Sequence, residues 1–140
     1  MLIFALSIQI FYNNYGDMMK ALSIKEPYAS LIMMNIKKIE TRSFKTNYRG
    51  ELYIHASLSK SNLHNELSSL VKPMYGKIIC KCNLVDCVYM TNEFIEKIKK
   101  ENPMEYKCGY YEVGRYAWIL EDTLVIEPIE AKGKLGIWNF

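Results

Sequence analysis

Between Ala21 and Ser57 the chain reads ALSIKEPYASLIMMNIKKIETRSFKTNYRGELYIHAS, and one proline and one asparagine fix where a helix can begin and end within it. Pro27 suits the first turn of a helix, where its missing N–H leaves nothing unsatisfied. Tyr28, Leu31 and Ile32 then recur at the spacing of one helical face. Asn35 tolerates the left-handed conformation in which helices commonly end, so the chain is expected to turn there and continue as a strand from Lys38 to Ser43. A strand's period of two puts Lys38, Glu40 and Arg42 on one face and Ile39 and Thr41 on the other, with Lys37 at the bend just before. One carboxylate is thereby bracketed by cations.

That cluster has two readings. In the first it is a solvated strand face whose Glu40 pairs with Lys38 or Arg42, an exposed contact worth about 0–1 kcal/mol. In the second, Lys37, Glu40 and Arg42 converge on a ligand, the lysine as a point cation and the arginine as a planar donor fork for phosphate or a base edge. The following residues favour a ligand. Lys45, Asn47, Tyr48 and Arg49 combine cations, an amide and an aromatic suited to stacking and phosphate contact, and Gly50 then turns the chain into a strand over Glu51–Ala56.

The whole chain has 140 residues, half of them hydrophobic, enough for one domain with one substantial core. A net charge of +3 is compatible with an acidic partner but far from the strongly basic balance of a non-specific nucleic-acid binder. Cys80, Cys82, Cys87 and Cys108 do not follow the paired spacing of a zinc knuckle. Reduced, packed thiols in a cytoplasmic protein are expected instead, because Cys80 and Cys82 fall on the same face of one strand, where a disulfide is unfavourable. There is no G-x-G-x-x-G, phosphate-loop or H-E-x-x-H pattern, so neither a cofactor nor a metal is expected.

Residues 1–18 stand apart. Leu2–Tyr12 is apolar but lacks a cationic flank and a cleavage site, and it is too short to span a membrane. With Met18 and Met19 following, it reads either as an upstream artefact of translation start or as an added edge strand, Leu2, Phe4, Leu6 and Ile8 alternating with their neighbours. The domain proper is then 19–140.

Downstream, Leu63, Leu67 and Leu70 predict a short helix within Ser59–Ser69, with His64 facing solvent. Lys77–Val88 reads as a central strand with Ile78, Cys80, Cys82 and Leu84 on one face and Ile79 and Val85 on the other. Thr91 is a candidate N-cap for a helix carrying Phe94, Ile95 and Ile98, with Lys97, Lys99 and Lys100 toward its negative end. Glu105–Val113, rich in tyrosine, reads as a loop over a ligand site, with Tyr110 and Tyr111 either stacking platforms or covers for the open end of a barrel. Arg115–Leu120 and Thr123–Glu127 read as two strands joined by a turn at Glu121-Asp122. Two glycines near Trp138 are expected to make room for its indole in the core. Regularly spaced strands with a few short helices point to a small mixed barrel, α+β in class.

Four ordered segments carry a resemblance: Ala21-Leu-Ser-Ile-Lys-Glu-Pro-Tyr28, Lys37-x-x-Glu40-x-Arg42, Lys45-Thr-Asn-Tyr-Arg-Gly50 and Ile54-His-Ala-Ser57. With 76–87, 114–120 and 128–138 they resemble the ASCH (activating-signal-cointegrator homology) domain family, a relative of the PUA-like RNA-binding barrels. Asn35 stands where the family's G-x-K-x-x-E-x-R signature has glycine. The resemblance implies a PUA-like β-barrel of about five to six strands with two to three short helices, and a cleft beside the Lys37–Arg42 strand. It implies an RNA or modified-nucleoside partner and no membrane, with Lys37, Glu40, Arg42, Lys45, Asn47, Tyr48, Arg49, Tyr110, Tyr111 and Arg115 as ligand-binding residues. Some small ASCH proteins instead hydrolyse N4-acylated cytidine with a Lys-x-x-Thr motif whose threonine is the nucleophile. Here Glu40 occupies that position, so hydrolysis would need Glu40 as general base, Lys37 on the oxyanion and Glu112 as acid. An adaptor that contacts another protein is the third reading.

Overall fold

The computed structural model describes residues 19–60 and 66–140, with the backbone alone at residue 60. The N-terminal leader, Leu63 and His64 lie outside the described residues. The chain builds one curled six-stranded sheet, a half-barrel, from β1 (Lys20–Glu26), β2 (Ile39–Arg42), β3 (Gly50–Lys60), β4 (Lys77–Tyr89), β5 (Tyr116–Glu130) and β6 (Ile137–Asn139), in the order β2-β5-β4-β3-β1-β6. β1 pairs with β3 in parallel and every other neighbour is antiparallel. A parallel pair needs a long crossover, and here it consists of helix α1 (Tyr28–Met33), β2 and the basic loop. The Ala21–Ser57 stretch is therefore a β-α-β-β unit, with a first strand that was not among the expected elements.

Inside the curl, alternate residues of four strands meet α1: Leu22 and Ile24, Leu52, Ile54 and Ala56, Cys80, Cys82 and Leu84, and Trp118 and Leu120 enclose Ala29 and Ile32. The helix starts after Pro27, and Asn35 at φ 62° ends it. Its N-terminus is capped from the preceding strand, because Glu26 Oε1 accepts from the Ser30 amide (2.8 Å) while Oε2 accepts from the Ser30 hydroxyl and from the Met74 amide (2.7 Å). Glu26 is 2% exposed, so these bonds replace its hydration. Cys80, Cys82 and Cys108 are buried free thiols, and desolvation pushes the Cys82 thiol up to about 12.

Helix α2 (Asn92–Glu101) is capped as expected, Thr91 Oγ1 accepting from the Phe94 amide, and Phe94, Ile95 and Ile98 pack on a separate cluster of Ile39, Met90 and Ala117. Asn102 ends α2 and at once caps a further helix, α3 (Pro103–Lys107), so the expected loop at 105–113 begins as a helical turn.

Other expectations change for identifiable reasons. β3 runs on to Lys60, and what is described of the next stretch contains a 3-10 turn at Ser68–Leu70, with no side chain buried to hold a longer helix. The expected turn at Glu121-Asp122 is a bulge: Asp122 takes φ 54° and β5 continues unbroken beside β4. A second bulge leaves Ile79 without a ladder partner on either side. It puts Ile78 on the opposite face, with Met19, Ala21, Tyr53 and Trp138, rather than with Cys80.

Glu26→Ala leaves two buried amides and a hydroxyl without their acceptor, and the cost is about 3 kcal/mol at roughly 1–3 kcal/mol per stranded group with partial relaxation. Urea denaturation of the variant checks this. A loss under 0.5 kcal/mol would show that the carboxylate does not hold α1 to the sheet.

Candidate functional site

Among the described residues β2 pairs only with Tyr116–Ile119 of β5, and a cleft of about 830 Å³ opens beside it. Lys37, Glu40, Thr41, Arg42 and Phe44 line it, with Ser23 and Lys25 from β1, Tyr28 from α1, His55 from β3, Tyr110 and Arg115, and the segment Ala131–Gly136. The resemblance to the family had marked Ile54–Ser57 and 128–138, but periodicity gave no reason to place Ser23, Lys25, His55, Lys132 or Lys134 at a site.

Lys37 is 1% exposed, and its ammonium donates to Ile39 O and Cys108 O, both at 2.6 Å. Its third neighbour is Glu40 Oε1 at 3.5 Å, and the Tyr28 ring lies 5.5 Å below it. Glu40 is buried, and its Oε2 accepts from Arg42 Nε at 3.0 Å. Arg42 Nη2 donates to Ser23 O at 3.0 Å, and the guanidinium lies 5.9 Å from the Trp118 ring. Among the described residues nothing bonds to Nη1 of Arg42. The three motif residues therefore converge as a ligand-site reading requires, but as a connected ion network that also holds the backbone together. Lys38, expected on the face of Glu40, is exposed and lies outside β2: its amide donates to Glu105 Oε1 at 2.7 Å and its carbonyl accepts from the Leu120 amide.

Of the basic loop, Phe44 carries the wall. It meets Trp118 edge to face at 5.7 Å, and its carbonyl accepts from Trp118 Nε1 at 3.2 Å. Lys45, Asn47, Tyr48 and Arg49 continue from it without lining the cleft. Lys45 and Asn47 are exposed, Tyr48 packs against the core, and Arg49 donates to Thr46 O and Tyr48 O, 3.9 Å from Asp86.

The two central tyrosines point to different places. Tyr110 is 56% exposed at the cleft, with the Arg115 guanidinium 4.5 Å over its ring and Arg115 Nε donating to its carbonyl. Tyr111 stacks on Tyr106 at 5.3 Å and packs against the α2 cluster, so it does not line the cleft. Glu112 is exposed and outside the cleft lining, and its proximity pushes the Tyr110 phenol up from its usual value. Gly109 is forced by packing, since a Cβ there would lie 2.8 Å from Thr41 Cγ2 and from the Tyr111 ring.

Glu105 escaped the sequence reading because it resembles any acid on a short helix. It is 2% exposed, and its Oε2, like the Tyr111 hydroxyl, is buried with no hydrogen-bond partner among the described residues. Burial pushes its carboxyl above the usual range, opposed by the Lys38 amide and the Lys37 charge. Near the chain's end, Gly133 makes room for Ser23 and His55 rather than for the Trp138 indole, and Gly136, with nothing within 4 Å, serves its φ of +64°. Trp138 itself is buried, as expected. Among the described residues no group of His, Cys, Asp or Glu is placed to hold a metal, and no helix is long and apolar enough to cross a membrane.

Two outcomes follow from this geometry. Glu40→Gln removes one partner of a buried ion network, and its cost is roughly 3 kcal/mol, read from the urea midpoint; a loss within about 0.5 kcal/mol would mark an ordinary surface position. Glu105 bears on pH. A carboxyl raised in the folded state favours folding while protonated, and that contribution is complete below the unfolded-state value of about 4.3. It is lost as pH rises through the higher folded value. Glu105→Gln, which cannot ionise, should thus gain stability relative to the natural chain as pH climbs through this window. A difference that stays flat with pH would show that Glu105 ionises as freely in the fold as outside it.

Comparison with known proteins agrees with this architecture. The family model for the ASCH domain matches residues 22–130. Activating signal cointegrator 1 of Homo sapiens is 38% identical over 58 residues, which are 40% of this chain and 10% of that protein. The match to that relative thus spans about a tenth of its length. With the family model matching well over half of its residues, the chain belongs to the ASCH domain family.

Proposed function

We propose that the cleft is a binding site for RNA, engaging an unpaired base and the phosphates beside it. The observation that carries this reading is charge. The cleft is lined by six cations, Lys25, Lys37, Arg42, Arg115, Lys132 and Lys134, against one acid, Glu40, in a chain that is nearly balanced at 18 basic to 15 acidic residues. A concave, low-dielectric wall focuses such a field on an anionic ligand. The exposed Tyr110 ring, backed by Arg115, and the half-exposed Phe44 ring, which meets Trp118 edge to face, supply aromatic surface for a base. Lys45 and Asn47 are exposed just beyond Phe44 in the chain but lie outside the cleft lining.

Hydrolysis of an N4-acylated cytidine has less support in the same geometry. The Lys37 ammonium already serves two carbonyls and Glu40, the Glu40 carboxylate is held by Arg42, and Glu112 lies outside the cleft lining. Lys37 and Glu40 are thus already engaged, and the acid meant to complete them does not line the same cleft.

Tyr110→Ala should weaken binding of a fluorescent single-stranded oligoribonucleotide by about 1–3 kcal/mol, the worth of one stacked base. Lys99→Ala and Lys100→Ala, on the exposed end of α2, should leave it unchanged. Anisotropy titration checks both. Equal losses from the α2 lysines, or none from Tyr110, would move the binding surface away from the cleft.

A further inference from the structure

The cations of the cleft fall into two groups. Lys37, Arg42 and Arg115 are engaged, the first two with Glu40 and all three with backbone carbonyls. Lys25, Lys132 and Lys134 are exposed, and among the described residues no carboxylate pairs with any of them. The same lining exposes four large apolar side chains, Phe44 (47%), Leu58 (78%), Tyr110 (56%) and Leu135 (98%). Unneutralised cations interleaved with exposed apolar groups suit a ligand that alternates charge with flat apolar surface.

Two of these lysines sit on an arm that is held in place. Trp138 Nε1 donates to Ser23 Oγ at 3.0 Å, Ser23 Oγ lies 3.0 Å from His55 Nδ1, and His55 Nε2 lies 2.7 Å from Ala131 O. A carbonyl only accepts, so Nε2 carries the proton and Nδ1 accepts from the serine hydroxyl. All four groups are satisfied in one direction, and the chain of bonds ends on the residue before Lys132. Gly133 seats so closely on it that a Cβ would come 2.6 Å from Ser23 Oγ and 2.8 Å from His55 Cε1. The arm is therefore a built wall of the cleft.

Resting on the nucleic-acid reading above, we infer that the cleft takes a single strand several nucleotides long rather than a free nucleoside, its phosphates met by Lys25, Lys132 and Lys134. A nucleoside has no phosphate and would leave those cations and most of the apolar rim without a function. The cleft volume of about 830 Å³ also lies near the top of the roughly 300–1,000 Å³ range of small-molecule pockets. A strand offers one charge and one π-face per nucleotide, which matches both sets of side chains. Ser23, His55 and Gly133 act as positioning residues for the arm.

The test uses the full chain and oligouridylates of one to eight nucleotides, with uridine and a polyglutamate of matched charge, all in competition against a labelled octamer. Affinity should rise about tenfold or more from mononucleotide to octamer, and Lys132→Ala with Lys134→Ala should weaken octamer binding several-fold and lower its salt slope. Mononucleotide binding should fall by clearly less than octamer binding in that variant, since a single phosphate can meet only part of the set. Gly133→Ala, by displacing the arm, should reproduce the octamer loss, again with the smaller effect on the mononucleotide. Uridine binding as tightly as the octamer would overturn the inference while leaving the nucleic-acid reading intact. Polyglutamate matching the octamer would overturn it in favour of an acidic peptide. Absence of binding by every nucleotide, with polyglutamate also inactive, would overturn both.

Discussion

A lysine ammonium excluded from water is the constraint around which this domain is arranged. Removing such a charge from solvent costs several kcal/mol even after relaxation, so Lys37 is tolerable only with every donor satisfied. Its acceptors come from the first residue of β2, from the segment after α3 and from Glu40. Meeting that requirement fixes the end of α1, the start of β2 and the Cys108–Tyr110 segment relative to one another. Arg42 then completes the network from the other side of Glu40 and ties it to β1 through Ser23 O.

The cleft is the outer surface of this network. Trp118 links its two levels, filling the core with its indole while its N–H holds the Phe44 carbonyl on the wall. On the far side the serine–histidine chain gives the C-terminal arm the same fixed relation to β1 and β3. A surface whose walls are both anchored in buried polar bonds is preorganised, and a ligand that fits it loses little affinity to ordering the protein.

Much of this was readable from the residues where local physics decides the outcome. Thr91 caps a helix because its hydroxyl reaches the Phe94 amide three residues on, and Asn35 ends one because its side chain permits positive φ. Glu40 and Arg42 meet because they are two apart on a strand. What sequence reasoning missed depends on distant partners. Nothing local says that Lys37 is buried, because its acceptors include the Cys108 carbonyl. β1 went unread, although Ser23 and Lys25, which face the cleft, alternate with the buried Leu22 and Ile24. The bulges at Ile79 and Asp122 break the strict alternation that a pattern of two assumes.

Two of the acceptors that hold Lys37 are main-chain carbonyls, and this has an implication for how the domain can vary. Any amino acid at positions 39 or 108 supplies the same oxygen, so exchange of side chains there leaves the ammonium's partners in place. Adding or deleting a residue between Pro103 and Gly109 does not, since it would move the carbonyl out of reach of Nζ. At this contact positions 39 and 108 are thus indifferent to which side chain they carry, while the segment is intolerant of changes in length, the reverse of what is usual for a surface connection.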